Sequence, residues 1–181
     1  MTFLIIAERP DDAALNDPLL DRSFGFDRKQ KTVYRLREGV DPVPELSFSA
    51  IDPDGGLLAS LRFWPVSIGG APGLLLGPLA VEPGLQGRGI GRSLVGHALA
   101  EARALGHRLC LVVGAPDYYR PFGFVNASGV GLILPGPVAP ERFQVCELAP
   151  GALDGVHGVV GKTCTSRGRG KSPAEGFAAA P

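Results

Sequence analysis

Two apolar segments that flank a glycine-rich loop and an amphipathic stretch limit the folds open to this chain of 181 residues. Residues 74–81 and 107–113 are nearly continuous apolar runs, as expected of strands buried within a sheet. Between them, residues 89–105 place apolar side chains along one stripe at helical spacing, and Gly106 follows as a helix stop. The stripe consists of Ile90, Leu94, Ala98, Ala102 and Leu105. This order of strand, loop, helix and strand predicts an α/β or α+β fold.

Weaker patterns predict the remaining elements of the domain. The turn residues 52–56 lie between two strand-like segments and predict a hairpin over 45–66. Gly77-Pro78 predicts a bulge or an unpaired position, because proline has no N–H to donate to a neighbouring strand. The other predicted elements are a strand over 3–7, a helix from Asp11 or Asp12 to Phe24, a helical stretch over 27–36, a turn or short helix over 117–124, and strands over 129–134 and 142–148.

Composition indicates one domain and argues against several classes of protein. Apolar residues make up 45% of the chain, which is enough for a sizeable core, but no apolar run approaches the roughly 18 residues of a membrane helix. Eighteen basic and eighteen acidic residues balance, which argues against a general nucleic-acid binder. The three cysteines form no CxxC pair, so we expect neither a metal site nor a disulfide framework. The first residues lack the basic start of a signal peptide, and we expect a cytoplasmic protein.

The end of the chain differs in character from the rest. Residues 162–181 read KTCTSRGRGKSPAEGFAAAP and show no apolar periodicity. Segments of this kind bury too little apolar surface to offset the entropy of ordering them. We therefore predict a folded domain over 1–161 and a disordered tail over 162–181.

The loop before the predicted helix reads QGRGIGRS over 86–93. Glycines at a helix start let the backbone approach a ligand, and the free amides with the positive end of the helix dipole attract an anion. This pattern predicts a phosphate group on the backbone amides, with a plain tight turn as the alternative. A dinucleotide fingerprint is excluded, because Arg92 or Leu94 stands where it needs its last glycine. A P-loop ending at Gly161-Lys162-Thr163 is excluded because Val156 occupies its first glycine position.

Three motifs in the right order resemble the GNAT superfamily of N-acetyltransferases, and most of all its bacterial YhbS-like branch. QGRGIG matches the family's Q/R-x-x-G-x-G/A loop, LAVEP at 79–83 matches a strand end of the form L-x-V-x-P, and YRPFGF at 119–124 matches Y-x-x-x-G-F. PELSF at 44–48 also resembles that branch. The resemblance implies an acyl-coenzyme A N-acyltransferase fold. Such a fold has a mixed sheet of six or seven strands, flanking helices, and a splayed parallel pair, here 74–81 and 107–113.

The resemblance also implies acetyl-coenzyme A as co-substrate, bound without a metal in the cleft between the splayed strands. Residues 79–81 would pair their backbone with the pantetheine amides, and the loop would hold the pyrophosphate. Arg88 and Arg92 either add positive charge there or are solvated arginines at a helix start. The residues implied to contact the coenzyme are Leu79, Ala80, Val81, Gln86, Gly87, Arg88, Gly89, Ile90, Gly91, Arg92, Ser93 and Tyr119.

In this family the acceptor amine attacks the thioester directly, and the resemblance implies the roles of two side chains. Tyr119 matches the tyrosine beside the coenzyme sulfur and is implied to be the general acid, a buried packing aromatic being the alternative. Glu45, at the start of a predicted strand, is the candidate general base; a surface carboxylate or a chain of waters is the alternative. A backbone N–H within 79–81 would stabilise the oxyanion.

Two further functions stay open at this point. The chain could be a non-catalytic acyl-coenzyme A-binding module that serves as a sensor or interaction domain, or a transferase for a longer acyl group. The acceptor could be a small amine, an amino acid, an antibiotic or a protein. We expect a monomer or homodimer with neither a nucleic-acid nor a membrane partner.

Overall fold

The computed structural model describes residues 2–163, and within them the chain forms nine strands and four α-helices. The strands are β1 (Leu4–Ala7), β2 (Ser47–Ile51), β3 (Leu57–Ile68), β4 (Ala71–Val81), β5 (Leu109–Val113), β6 (Val125–Asn126), β7 (Leu132–Ile133), β8 (Phe143–Glu147) and β9 (Gly158–Lys162). The helices are α1 (Asp12–Phe24), α2 (Thr32–Arg37), α3 (Ile90–Ala104) and α4 (Pro116–Tyr119). No helix in this part of the chain has the length and apolar character needed to cross a membrane.

The strands form one twisted assembly with the order β1-β2-β3-β4-β5-β8-β6, and β9 pairs with the far end of β3. Neighbouring strands are antiparallel except for β4 with β5 and the short β7 with β9. The prediction of a mixed sheet with flanking helices and a parallel pair is confirmed. The described residues form nine strands, more than the predicted six or seven. Two of them, β6 and β7, have only two residues each, and β9 was not predicted from the sequence.

The parallel pair β4 and β5 stays together over a very short distance. Only Leu74 with Cys110 and Leu75 with Leu111 are in register, and beyond them the two strands part. On its other edge β4 carries the predicted bulge, since Leu76 pairs with Phe63 and Leu79 with Leu61. Gly77 and Pro78 therefore lie opposite Arg62 alone, and their peptide bond is cis.

Helix α3 covers one face of the sheet with the predicted stripe. Ile90, Leu94, Ala98 and Ala102 are all buried against residues of β2 to β5. Leu105 is the exception and is 52% exposed, because it lies beyond the last helical residue and no longer faces the sheet. The membership of Leu105 in the stripe was therefore predicted wrongly.

The opposite face of the sheet is covered by two helices and the β7–β9 pair. Leu19 and Leu20 of α1 are buried against Ala80, and Leu36 of α2 joins a second apolar cluster with Leu75. The 27–36 segment is not one helix: Phe26–Gln30 forms a 3₁₀ turn, and extended Lys31 precedes α2.

Several predicted boundaries shift where local hydrogen bonds compete with the sheet. Pro44–Leu46 forms a 3₁₀ turn, because Pro44 is preset for a helical start, so β2 begins at Ser47 and not at residue 45. His107 donates its backbone N–H to Ala102, which closes α3 and delays β5 until Leu109. The strand predicted over 129–134 shrinks to β7 because Ser128–Val130 forms another 3₁₀ turn.

The predicted domain boundary falls one residue too early. Lys162 belongs to β9, where its Cα pairs with Val66, and Val160 in the same strand is fully buried beside Ile68. Gly158–Lys162 thus completes the second apolar cluster rather than leading into a tail. Residues 164–181 lie outside the described residues, and the disordered tail remains a prediction for them.

Truncation after Thr163 is therefore expected to leave the melting temperature unchanged, whereas truncation after His157 should lower it clearly. The second change removes β9 and exposes the site of Val160, whose burial alone is worth about 2 kcal/mol. Differential scanning fluorimetry of the two truncations beside the full chain measures the difference. A large loss with the shorter deletion would contradict the predicted tail.

Candidate functional site

A continuous cleft opens where β4 and β5 part. It consists of two cavities that share the walls Phe24, Leu79, Gln86 and Tyr118. We call the first the inner cavity: it has a volume of about 790 Å³ and lies among α2, β4, the end of β5 and the segment 134–142. We call the second the loop cavity: it has a volume of about 650 Å³ and lies in front of the start of α3. A ligand can therefore extend from the surface loop into the centre of the sheet.

The start of α3 presents unpaired backbone amides to the loop cavity. Gly89 precedes the helix in the left-handed conformation with a φ of 86°, which L-residues rarely adopt. Among the described residues, no side chain caps this helix start and no acidic residue occupies its first turn. The first amides of a helix have no intrahelical partner, so these carry the positive end of the dipole toward a ligand.

The structure brings most, but not all, of the predicted coenzyme-contacting residues to the cleft. Leu79, Val81, Gln86, Gly87, Gly89, Ile90, Gly91 and Arg92 line the loop cavity, and Tyr119 lines the inner one. Ala80 is 1% exposed, packs against Leu19 and Leu20 of α1, and lines neither cavity. Arg88 and Ser93 are exposed and lie outside both cavity walls.

Tyr118 joins the two cavities, a position that the sequence did not specify. A Cβ atom on Gly91 would lie 2.7 Å from the Tyr118 hydroxyl oxygen, so this glycine lets the tyrosine reach the helix start. The guanidinium of Arg92 lies 5.9 Å from the centre of the same ring. Burial raises the pKa of Tyr118, against the lowering influence of Arg92, and the phenol stays protonated at neutral pH.

Tyr119 follows β5 and is buried at the point where the strands separate. Its ring lies 5.5 Å from that of Phe124 and covers Gly114 so closely that a Cβ atom there would come within 2.2 Å of it. Burial raises the pKa of Tyr119 well above the ordinary value, so its hydroxyl is a hydrogen-bond donor throughout the physiological range. The ring can pack here because Gly114 has no side chain, and the sequence did not indicate this role of Gly114.

Glu45, the candidate general base, lies outside the walls of the cleft. It sits exposed in the 3₁₀ turn before β2 and lines neither cavity. Its charge acts on His107, two residues before β5, whereas Tyr119 follows the other end of that strand. Burial lowers the pKa of His107, and Glu45 opposes that shift. The role of Glu45 as general base stays a prediction, and the turn that Pro44 begins determines its position before β2.

Cations, rather than carboxylates, are the charged groups of the cleft. Lys31, Arg37 and Arg142 line the inner cavity, and Arg92 lines the loop cavity. Within residues 2–163, neither wall contains Asp or Glu. Arg37 was missed by the sequence reasoning, since nothing in its local pattern separates it from the other arginines of the chain.

The family model and the relatives that match this chain are all acetyltransferases. A family model described as an acetyltransferase (GNAT) domain matches residues 45–126. The chain is 37% identical over 160 residues to the uncharacterized N-acetyltransferase YhbS of Escherichia coli K12, covering 87% of this chain and 95% of that protein. It is 32% identical over 130 residues to the uncharacterized N-acetyltransferase YjhQ of the same strain, covering 69% of this chain and 71% of that protein.

Solved structures resemble the whole described fold. The crystal structure of YhbS from Escherichia coli in complex with CoA superimposes with a TM-score of 0.77 at 35% identity and covers 89% of both chains. A GNAT family acetyltransferase from Brucella melitensis in complex with acetyl-CoA gives a TM-score of 0.66 at 31% identity, with 90% of this chain and 97% of that chain covered. The predicted fold class is confirmed by these likenesses.

Gly114→Ala is expected to lower the free energy of unfolding by about 1–3 kcal/mol, because the added methyl group would overlap the Tyr119 ring. The cost should shrink by at least about 1 kcal/mol in a Tyr119→Leu background, which removes the ring edge. Urea unfolding of the four proteins of this cycle measures the coupling.

Gly96→Ala is the matched control for that cycle. Its Cβ would meet only the edge of Phe122 at 3.9 Å, and alanine favours the helix, so its stability should stay equal or rise. Equal effects of Gly114→Ala with and without the Tyr119 ring would show that the two residues do not determine each other's position.

Proposed function

The chain belongs to the GNAT family of N-acetyltransferases, and on this premise we propose that it transfers an acetyl group from acetyl-coenzyme A to a primary amine. One observation above all supports the proposal: a cleft runs from the uncapped start of α3 to buried Tyr119 through the opening between β4 and β5. The two solved relatives in complex with CoA and acetyl-CoA support the choice of coenzyme.

The loop cavity fits the pyrophosphate of the coenzyme. Its amides at Gly89, Ile90 and Gly91 point where an anion would gain most from the helix dipole. Arg92 lines this cavity and supplies a full positive charge, while exposed Arg88 contributes at longer range at most. We assign the pyrophosphate to these amides and to Arg92.

The edge of β4 that β5 leaves unpaired fits the pantetheine arm. Beyond Leu75 no residue of β5 is in register with β4, so the strand can offer backbone groups to the amides of a ligand. Leu79 and Val81 line the cleft here, and the backbone of Ala80 lies between them. We assign one backbone N–H of this stretch to the oxyanion that forms during attack.

The cations of the inner cavity favour a neutral amine nucleophile. An alkyl ammonium has a pKa near 10 and must lose a proton before it can attack. Lys31, Arg37 and Arg142 line the same space, and like charges disfavour the ammonium form. Because the wall contains no carboxylate among the described residues, we infer that the proton leaves to water.

Tyr119 is proposed as the donor to the departing sulfur. The amine nitrogen bonds to the acyl carbon of the thioester and forms the tetrahedral oxyanion, and the carbon–sulfur bond breaks when this intermediate collapses. The Tyr119 hydroxyl, protonated because burial raises its pKa, donates a hydrogen bond and then a proton to the thiolate. The nitrogen that has attacked carries one surplus proton and releases it to water as the amide forms. Water carries a proton back to the phenolate oxygen, so Tyr119 ends as it began.

Gly89→Glu is expected to weaken the affinity for coenzyme A by at least about tenfold, because a carboxylate at the positive end of a helix displaces a competing anion. Isothermal titration calorimetry measures the affinity. Gly106→Glu is the matched control: it adds the same charge at nearly the same φ, 81° instead of 86°, but beyond the far end of α3. Equal effects of both substitutions would remove the loop from the binding site.

Tyr119→Phe is expected to lower kcat about 10²–10⁴-fold while coenzyme affinity changes little, because the hydroxyl acts in the transition state. A thiol-release assay with acetyl-coenzyme A and a panel of amines gives kcat. Since burial raises the pKa of Tyr119, ionisation of this phenol should cause no loss of wild-type activity near pH 10.

Tyr118→Phe is the comparison for that experiment, because it removes a hydroxyl near the helix start and should affect coenzyme affinity more than kcat. Near-normal kcat in Tyr119→Phe, with chemistry rate-limiting, would contradict the assignment. Coenzyme binding without transfer to any amine would favour the sensor function, and faster turnover of a longer thioester would favour another acyl group.

A further inference from the structure

Arg37 is a buried guanidinium whose charge no acidic side chain of the described residues neutralises. It ends α2, is 8% exposed, and lines the inner cavity. Its Nε is buried without a hydrogen-bond partner, and no Asp or Glu in residues 2–163 lies within ion-pair distance of it. Buried charges in proteins are normally paired, so an unpaired one facing a cavity indicates a missing anionic partner.

Aromatic rings hold this guanidinium in place. Its central carbon lies 4.9 Å from the ring centre of Tyr34 and 5.9 Å from that of Trp64. Its terminal nitrogen lies 3.2 Å from the position that a Cβ atom on Gly77 would take. Arg37 is therefore fixed beside the bulge at which β4 leaves β5, and it is not a mobile surface side chain.

The charge persists at neutral pH in spite of burial. Burial lowers the pKa of Arg37 to about 10, the Tyr34 and Tyr119 phenols favour its charged form, and nearby Arg28 disfavours it. Arg28 does not share this lack of a partner, because its nitrogens lie 2.9 Å from Asp17 and 2.8 Å from Asp21. Arg28 is thus buried together with its counterions, as a structural arginine is, whereas Arg37 is buried without one.

We propose that Arg37 binds a carboxylate or phosphate group of the acceptor, so that the substrate is a small amine that also carries an anion. This rests on the proposed acetyl transfer. The phosphates of the coenzyme are assigned to the loop cavity, which leaves Arg37 free for the second substrate. Lys31 and Arg142 on the same wall add to the attraction for an anion and to the repulsion of a plain diamine.

The position of Arg37 also limits the size of this substrate. The guanidinium lies beside the bulge at Gly77, and Tyr119 lines the same cavity. An acceptor that reaches both the cation and the thioester therefore has only a few bonds between its anion and its amine. Arg37 is nearly inaccessible from outside, which favours a small molecule over the surface of a protein.

Binding can be followed without activity, because Trp64 beside Arg37 is the only tryptophan of the chain. The protein saturated with coenzyme A is titrated with β-alanine and β-alaninamide, and with phosphoethanolamine and ethanolamine. We expect the anionic member of at least one pair to change Trp64 fluorescence and its neutral counterpart to have little effect. The pair that responds tells carboxylate from phosphate.

Arg37→Met should abolish that response and lower kcat/KM for the anionic amine about 10- to 100-fold, the usual range for a lost hydrogen bond to a charged group. For the neutral amine kcat/KM should fall much less, because that substrate loses only the part of the positive field by which Arg37 disfavours the ammonium form. Arg37→Lys keeps the charge without the planar fork and should recover part of the loss. Arg35→Met, an exposed arginine on the same helix that lines neither cavity, is the matched control.

The outcomes separate this inference from acetyl transfer itself. Equal binding and turnover of charged and neutral amines would overturn the role of Arg37 and leave acetyl transfer intact. An Arg37-dependent fluorescence response without transfer to any amine would support the anion site and count against the enzyme. If Arg37→Met does not fold, Arg37→Lys takes its place in the test. The proposal is overturned if the wild type shows no fluorescence response to either anionic amine, or if Arg37→Lys shows an undiminished response.

Discussion

The early separation of β4 from β5 is the constraint on which the cleft depends. Two registered pairs hold the strands together, and the bulge at Gly77 and Pro78 then turns β4 while β5 runs on toward Tyr119. Parting strands in the middle of a sheet is costly, because backbone groups that lose a partner strand must be satisfied elsewhere. A ligand with amides of its own would satisfy these groups, and the separation of the strands is also what opens the cleft. The start of α3 and the ring of Tyr119 gain their roles from lying at the two ends of this opening.

The two faces of the sheet contribute differently to the cleft. The α3 face is apolar and closely packed, and it fixes the helix whose free amides face the loop cavity. The opposite face, built from α1, α2 and the β7–β9 pair, brings cations to the inner cavity. Both ends of the cleft are thus electropositive, one through backbone dipoles and the other through side chains. Such a field would attract the polyanionic coenzyme and the anionic acceptor proposed above, and it would disfavour the protonated form of an amine.

The sequence predicted best what is encoded locally. The strand, glycine loop and helix over 74–105 follow from patterns a few residues long, and so does the place of Tyr119 next to the opening. The strand start expected at Glu45 is a 3₁₀ turn instead, because one proline changes the direction of the chain before β2. Arg37 and Gly114 were missed because their importance comes from neighbours distant in sequence: Arg37 lies beside Gly77, and Gly114 makes room for a ring. Such relations arise from the packing of whole elements, which no short pattern contains.

The pairing of β9 with β3 has a consequence for the order in which the protein assembles. Ile68 lies in register with Val160, so the second apolar cluster needs strands that are far apart along the chain. Among residues 2–163, the cluster beneath α3 uses none beyond Leu148. As the polypeptide leaves the ribosome, the α3 side can therefore condense first, while the side that carries Arg37 stays open until β9 has been synthesised. Non-local strand pairing of this kind closes slowly, because the entropy of a long loop is lost before the contacts form. A nascent chain stalled before β9 would expose Ile68 and its neighbours, and it would be a natural client for a chaperone.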